Sequence, residues 1–153
     1  MKPLVRNLQN LGLVRLAVVS PEHKVADISF NLQQIQDAVV RLEKEGCQIA
    51  VFPELSLTSY SCGDLFFQSS LLAGVQDALC SLAETSKESG VTLIVGAPLS
   101  IDGRLFNCAV FISAGAICGV VPKTFLPNSN EFYEERWFSS AYDAVADDVV
   151  IGG

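Results

Sequence analysis

Three short apolar runs, "VRLAVVS" (14–20), "CQIAVF" (47–52) and "VTLIVGAPL" (91–99), are separated by stretches whose apolar residues recur every three or four positions. Strands that are apolar on successive residues have no wet face, so they belong in a sheet covered by helices. Ile28, Leu32, Ile35, Val39 and Leu42 share one helical face and predict the first covering helix, with Gly46 placed to end it. Leu71, Leu72, Val75, Leu79 and Leu82 predict the second, ending near Gly90. Alternation of this kind implies parallel strands joined by crossover helices.

Beyond residue 99 the pattern changes. Asp102-Gly103 is a tight-turn signal into "RLFNCAVFIS" (104–113), and Ala114-Gly115 turns the chain again into "AICGVV" (116–121). The chain therefore passes from β-α-β-α-β to antiparallel hairpins, and the fold class is α/β with a mixed sheet that needs cover on both faces. "VRLAVVS" is expected to be a buried strand. The terminal "DAVADDVVIGG" (143–153) resembles the approach to a further strand, so the chain is expected to be the N-terminal part of a single domain, incomplete at its C-terminus.

The balance of charge removes several functions. With 10 Lys and Arg against 17 Asp and Glu, the net charge of −7 opposes binding to nucleic acid or to an anionic membrane. No apolar run reaches membrane-spanning length. Lys2, Arg6 and Arg15 flank or interrupt the N-terminal apolar stretch without a cleavage site, so a signal peptide is not expected. Cys47, Cys62, Cys80, Cys108 and Cys118 are odd in number and widely spaced, which suits reduced thiols in a cytoplasmic protein and neither a disulfide framework nor a metal site. His23, the single histidine, lies in the loop-like "SPEHK" and offers no base for a Ser-His-Asp or Cys-His machine.

Two charges stand at strand exits. Glu54 follows Pro53 after "CQIAVF", and Lys123 follows Pro122 after "AICGVV". Open α/β sheets place ligands at the carboxyl ends of their strands. Taken alone, Glu54 reads equally as a helix cap or a solvated loop charge, and Lys123 as a snorkelling surface lysine. Should the two meet, they could act as a general base and an oxyanion stabiliser, still without a nucleophile. Asn128 with Glu131 three residues on is a capping-box-like start, so "NSNEFYEERWF" (128–138) predicts a short helix. Glu134 and Glu135 would be its first-turn acids. Trp137 and Phe138 would be packing residues.

"VFPELSLTSYSCGDLFFQ" (51–68), "GAPLSIDGRLFNCAVFIS" (96–113) and "GVVPKTFLPNSNEFYEERWF" (119–138), in that order, resemble the nitrilase superfamily of carbon–nitrogen hydrolases. More narrowly they resemble the glutaminase domains of glutamine-dependent NAD synthetases. The resemblance implies an αββα sandwich and a Glu-Lys-Cys triad that releases ammonia from glutamine. It assigns Glu54 as the base, Lys123 as the oxyanion group, Glu134 as a supporting glutamate and Tyr60 as a pocket tyrosine. The cysteine nucleophile of such enzymes lies on a strand further downstream. Cys62 sits in the first-motif loop, and Cys108 and Cys118 sit inside hairpin strands. Ser129 departs from the tyrosine common at that position. The resemblance also implies no cofactor in this domain, ATP and magnesium in a separate synthetase domain marked by an "SGGxDS" loop, and a homo-oligomeric enzyme. A small-amide amidase of the same superfamily and a non-catalytic binding module remain the alternatives.

Overall fold

The computed structural model describes residues 12–145 and 147–151. The Lys2 and Arg6 flanks of the N-terminal apolar stretch lie outside them. Five strands form one sheet in sequence order: β1 (Leu16–Val18), β2 (Ile49–Val51), β3 (Thr92–Ile101), β4 (Arg104–Ser113) and β5 (Ala116–Pro122). β1, β2 and β3 are parallel, and β3, β4 and β5 are antiparallel neighbours. The mixed α/β sheet is thus as the periodicities imply. Two reversals cancel, so β5 runs parallel with β2, and both strands exit on the same sheet edge.

Helix α1 (Ile28–Lys44) joins β1 to β2, and α2 (Ser69–Ser89) joins β2 to β3. Asp27 caps α1 by accepting the Phe30 N–H at 3.0 Å. Gly90 ends α2 in the left-handed conformation at φ 69°, which costs glycine no Cβ clash. Successive like-handed crossovers between strands in sequence order place both helices on one face of the sheet. There Ile35, Val39, Val75, Leu79 and Leu82 pack on Ala50, Leu93, Val95, Val110 and Ile112 in the main core.

The opposite face is covered only in part. Residues 53–58 cross it over Gly96, and a smaller cluster of Leu55, Cys62, Phe66, Leu71, Leu105 and Phe138 closes the end near the strand exits. Elsewhere Val18 is 81% exposed and Val121 67% exposed, with Leu16 and Phe111 also open to solvent. Registers carry Val18, Val51, Ile94 and Phe111 along one row of this face.

Four expectations need correction. "VRLAVVS" is a three-residue edge strand, not a buried one, because β1 has a neighbour on one side only and its Leu16 and Val18 point away from the helices. Cover is helical on one face and only partial on the other, for the handedness reason just given. "NSNEFYEERWF" forms no α-helix, only a single 3-10 turn at Glu134–Arg136, and Asn128 caps nothing. The Asn128 amide instead donates to the Glu135 carboxylate at 2.7 Å. Residues 143–145 and 147–151 form no strand, and Ala146, Gly152 and Gly153 of that expectation lie outside the described residues. Among the described residues no single helix is long and apolar enough to cross a membrane.

An uncovered apolar sheet face with open edges seeks partners. We expect the 1–153 polypeptide to self-associate, and Val18→Lys with Val121→Lys to shift it toward monomer without lowering its melting temperature. Light scattering that finds the unsubstituted chain already monodisperse and monomeric would refute this.

Candidate active site

The two strand-exit charges meet. Lys123 Nζ lies 2.8 Å from Glu54 Oε1 and 2.9 Å from Glu134 Oε2, donating to both carboxylates. A third contact runs from the same ammonium to Glu134 Oε1 at 3.0 Å. The hydroxyl of Tyr60 donates to Glu134 Oε1 at 2.7 Å. Glu54 and Tyr60 from residues 51–68, and Lys123 and Glu134 from residues 119–138, form one cluster at the carboxyl edge of β2 and β5.

Each member is held by its local backbone. β2 ends at Val51, and the Phe52 N–H still bonds to Ile94 O, so the chain stays against β3 up to Pro53. Leu55, directly after Glu54, is in the left-handed region at φ 52°, uncommon for a bulky residue. Its side chain is fully buried, which fixes the turn in spite of the backbone cost. The turn passes so close to β3 that a Cβ on Gly96 would stand 2.2 Å from Leu55 N and 2.5 Å from Pro53 O. Ser56 Oγ accepts the Gly96 N–H at 3.2 Å and seals the crossing. Lys123 leaves β5 through Pro122, and its backbone N–H bonds Asn107 O at 2.7 Å.

Glu134 explains why its segment is not helical. The carboxylate is 1% exposed and turned inward to Lys123 and Tyr60, an orientation that a solvated first-turn acid would not take. Its N–H donates to Pro127 O, not to a helical partner. On the outside, Arg136 binds Asp64 through two bonds of 2.8 and 2.7 Å, and Trp137 Nε1 donates to the same carboxylate at 2.9 Å. Trp137 and Phe138 also pack edge-on or tilted against Phe66. The Tyr60 and Glu134 segments are therefore fastened to each other from both sides.

Asn107 is the site residue that the sequence reading missed. It lies on β4, 3% exposed, and its Nδ2 donates to Glu54 Oε1 at 2.5 Å. The available signal was one amide inside the apolar "LFNCAV" run, since a buried polar side chain must find a partner.

Electrostatics follow from these contacts. Desolvation alone would lower the pKa of Lys123, but its hydrogen bonds and charge interactions with Glu54 and Glu134 outweigh it and raise the group above the usual lysine value. Burial, then the bond to Glu134 and the charges of Glu134 and Glu54, pushes the Tyr60 phenol up, so it stays a donor. Burial raises the Cys108 thiol to about 12. Cys62 is raised by burial against smaller opposing hydrogen bonds, and its Sγ is committed to Thr58 O at 2.9 Å. Neither thiol is poised as a thiolate. Cys118, on β5, contacts Ser113 O and Ala116 O, away from the cluster. Ser129 is exposed, its carbonyl accepting the Phe132 N–H. His23 is half-buried in its loop, not fully exposed, and burial lowers its pKa. Among the described residues no three His, Cys, Asp or Glu side chains are grouped to hold a metal ion.

The carbon–nitrogen hydrolase family model matches residues 15–152. The chain belongs to the carbon–nitrogen hydrolase family. It is 40% identical over 142 residues to the glutamine-dependent NAD(+) synthetase of Mycobacterium tuberculosis, a match that covers 93% of this chain and 21% of that protein. The synthetase of Mycobacterium leprae is 34% identical over 137 residues, with 90% and 20% covered. This carbon–nitrogen hydrolase chain thus spans about a fifth of the length of these curated relatives. Among solved structures, the synthetase of Acinetobacter baumannii superposes with a TM-score of 0.78 at 26% identity, over 82% of this chain and 24% of that one. A Nesterenkonia amidase superposes with a TM-score of 0.74 over 84% of this chain and 50% of that one; at 22% identity it shows the shared fold alone.

Two outcomes follow from the geometry. Lys123→Met leaves Glu134 buried without its cation, so it should destabilise the chain by about 3–5 kcal/mol in denaturant titration. For wild type the sign is that of a raised cation: its contribution is fully present below the unfolded lysine value of about 10.4 and lost as pH rises through the higher folded value. Gly96→Ala meets backbone that cannot give way, and should cost at least about 1–3 kcal/mol while moving the Glu54 turn in a crystal structure.

Proposed function

We propose that residues 1–153 are part of a nitrilase-type glutaminase domain of a glutamine-dependent NAD synthetase, hydrolysing the side-chain amide of glutamine to supply ammonia. The observation that carries this reading is the single ammonium of Lys123 held between Glu54 and Glu134, 2.8 and 2.9 Å away, at a strand-exit edge. Similarity to synthetases of mycobacteria supports the choice of glutamine over other amides.

In this reading the third catalytic group is a cysteine thiol brought to the cluster. Glu54 takes its proton, and the thiolate attacks the amide carbon of glutamine. The carbonyl π pair moves to oxygen, and Lys123 exchanges a carboxylate contact for the oxyanion. The C–N bond then breaks as the nitrogen takes the proton back from Glu54, leaving ammonia and a thioester. Water, deprotonated by Glu54, attacks the thioester and frees glutamate and the thiol. Glu134 stays ionised beside Lys123 and keeps it charged, with Tyr60 fixing the carboxylate. These steps run on side chains alone. ATP and magnesium belong, on this proposal, to a separate synthetase domain that makes NAD from deamido-NAD. Homo-oligomeric assembly and a cytoplasmic setting complete it.

Burial holds Cys62 and Cys108 as thiols, and the nucleophile of this reading is a further cysteine, so purified 1–153 should release no glutamate from glutamine. The product of the whole reading frame should do so, and Glu54→Gln should lower its kcat by about 100- to 10,000-fold. Glu54-dependent turnover by 1–153 itself would overturn this assignment of roles and make Cys62 the nucleophile.

A further inference from the structure

Glu54 has two carboxylate oxygens, and the structure treats them differently. Lys123 Nζ and Asn107 Nδ2 both donate to Oε1, at 2.8 and 2.5 Å. Among the described residues no hydrogen bond is made to Oε2. An ionised carboxylate only accepts, so the Asn107 group facing it must be the amide NH₂ and not the amide oxygen. Asn107 is attached to the other half of the pair as well: its backbone O accepts the Lys123 N–H at 2.7 Å. One residue of β4 therefore holds the exit of β5 by its main chain and the carboxylate beyond β2 by its side chain.

We propose that Asn107 is a positioning residue that designates Oε2 of Glu54 as the basic oxygen. The inference rests on the glutaminase reading above. With two donors on Oε1, the negative charge there is stabilised and its lone pairs are engaged. Oε2 keeps its lone pairs open, on a carboxylate that remains 43% exposed. In the first step the thiol S–H bond breaks, the O–H bond forms at Oε2, and sulfur keeps the electron pair as thiolate. Glu54 becomes a neutral acid whose carbonyl oxygen, Oε1, still accepts from Asn107 and Lys123. The carboxyl group thus need not rotate between taking the proton and returning it to the leaving nitrogen. Asn107 is 3% exposed and cannot exchange this partner for bulk water, so the assignment persists through turnover.

The contact and its catalytic consequence are tested separately. In nitrogen-15-labelled 1–153, one Asn107 side-chain amide proton should resonate downfield of the other asparagine amides and move with pH as its carboxylate partner takes up a proton. Glu54→Leu should abolish both effects, whereas persistence of both in a Glu54→Leu chain of unchanged melting temperature overturns the proposal. In the whole gene product, Asn107→Leu should lower kcat for glutamine by about 10- to 100-fold, change KM less than about two-fold and alter the kcat–pH profile. A merely structural asparagine would lower the melting temperature and leave kcat and that profile of the folded enzyme in place, which also overturns the proposal. Failure of the gene product to hydrolyse glutamine refutes the glutaminase reading instead, and the amide signals then decide whether Asn107 holds Glu54.

Discussion

The ammonium of Lys123 sets the terms for the whole carboxyl edge of the sheet. Glu134 is buried, and a buried carboxylate without a cation would be costly by several kcal/mol. Placing that cation requires β5 to exit on the same side as β2, which requires two hairpins between β3 and β5. It also requires the 128–138 segment to turn inward, where helical hydrogen bonding would have carried Glu134 out to solvent. The short 3-10 turn and the outward clamp of Asp64 by Arg136 and Trp137 are consequences of that demand.

The chain that carries Glu54 is aimed by backbone, and Asn107 and Lys123 then hold the carboxylate itself. The head group is open to solvent, while the chain carrying it crosses Gly96 at a distance that excludes any other residue type without movement. Left-handed Leu55 and Ser59, at φ 52° and 71°, bracket the crossing. Leu55 is anchored in the small cluster with Phe66 and Phe138, so packing on one side of the sheet holds strained backbone that aims a charge on its edge.

Much of this was legible in the residues. Continuous apolar runs, period-3.6 patterning and turn dipeptides are local, so both helices, their glycine stops and the switch from parallel strands to hairpins could be read directly. Proline followed by one charge marked Glu54 and Lys123, and the order of three motifs marked Glu134 and Tyr60. What escaped depends on neighbours distant in sequence. Nothing within "VRLAVVS" says that β1 has a partner on one side only. A capping-box pattern at Asn128 cannot reveal that Glu134 is needed by a lysine eleven residues earlier. Asn107 reads as an interruption until Glu54, fifty-three positions away, is placed against it.

Trp137 is the only tryptophan in the chain, and its indole N–H ends on Asp64 while its ring touches Tyr133 and Phe66. It stands three residues after Glu134 and joins the segment of Tyr60 to that of Glu134. The long-wavelength fluorescence of this molecule therefore originates at the rim of the carboxylate–lysine cluster. Any ligand or substitution that parts those two segments moves the indole into water. The protein carries its own optical gauge of whether the site is assembled.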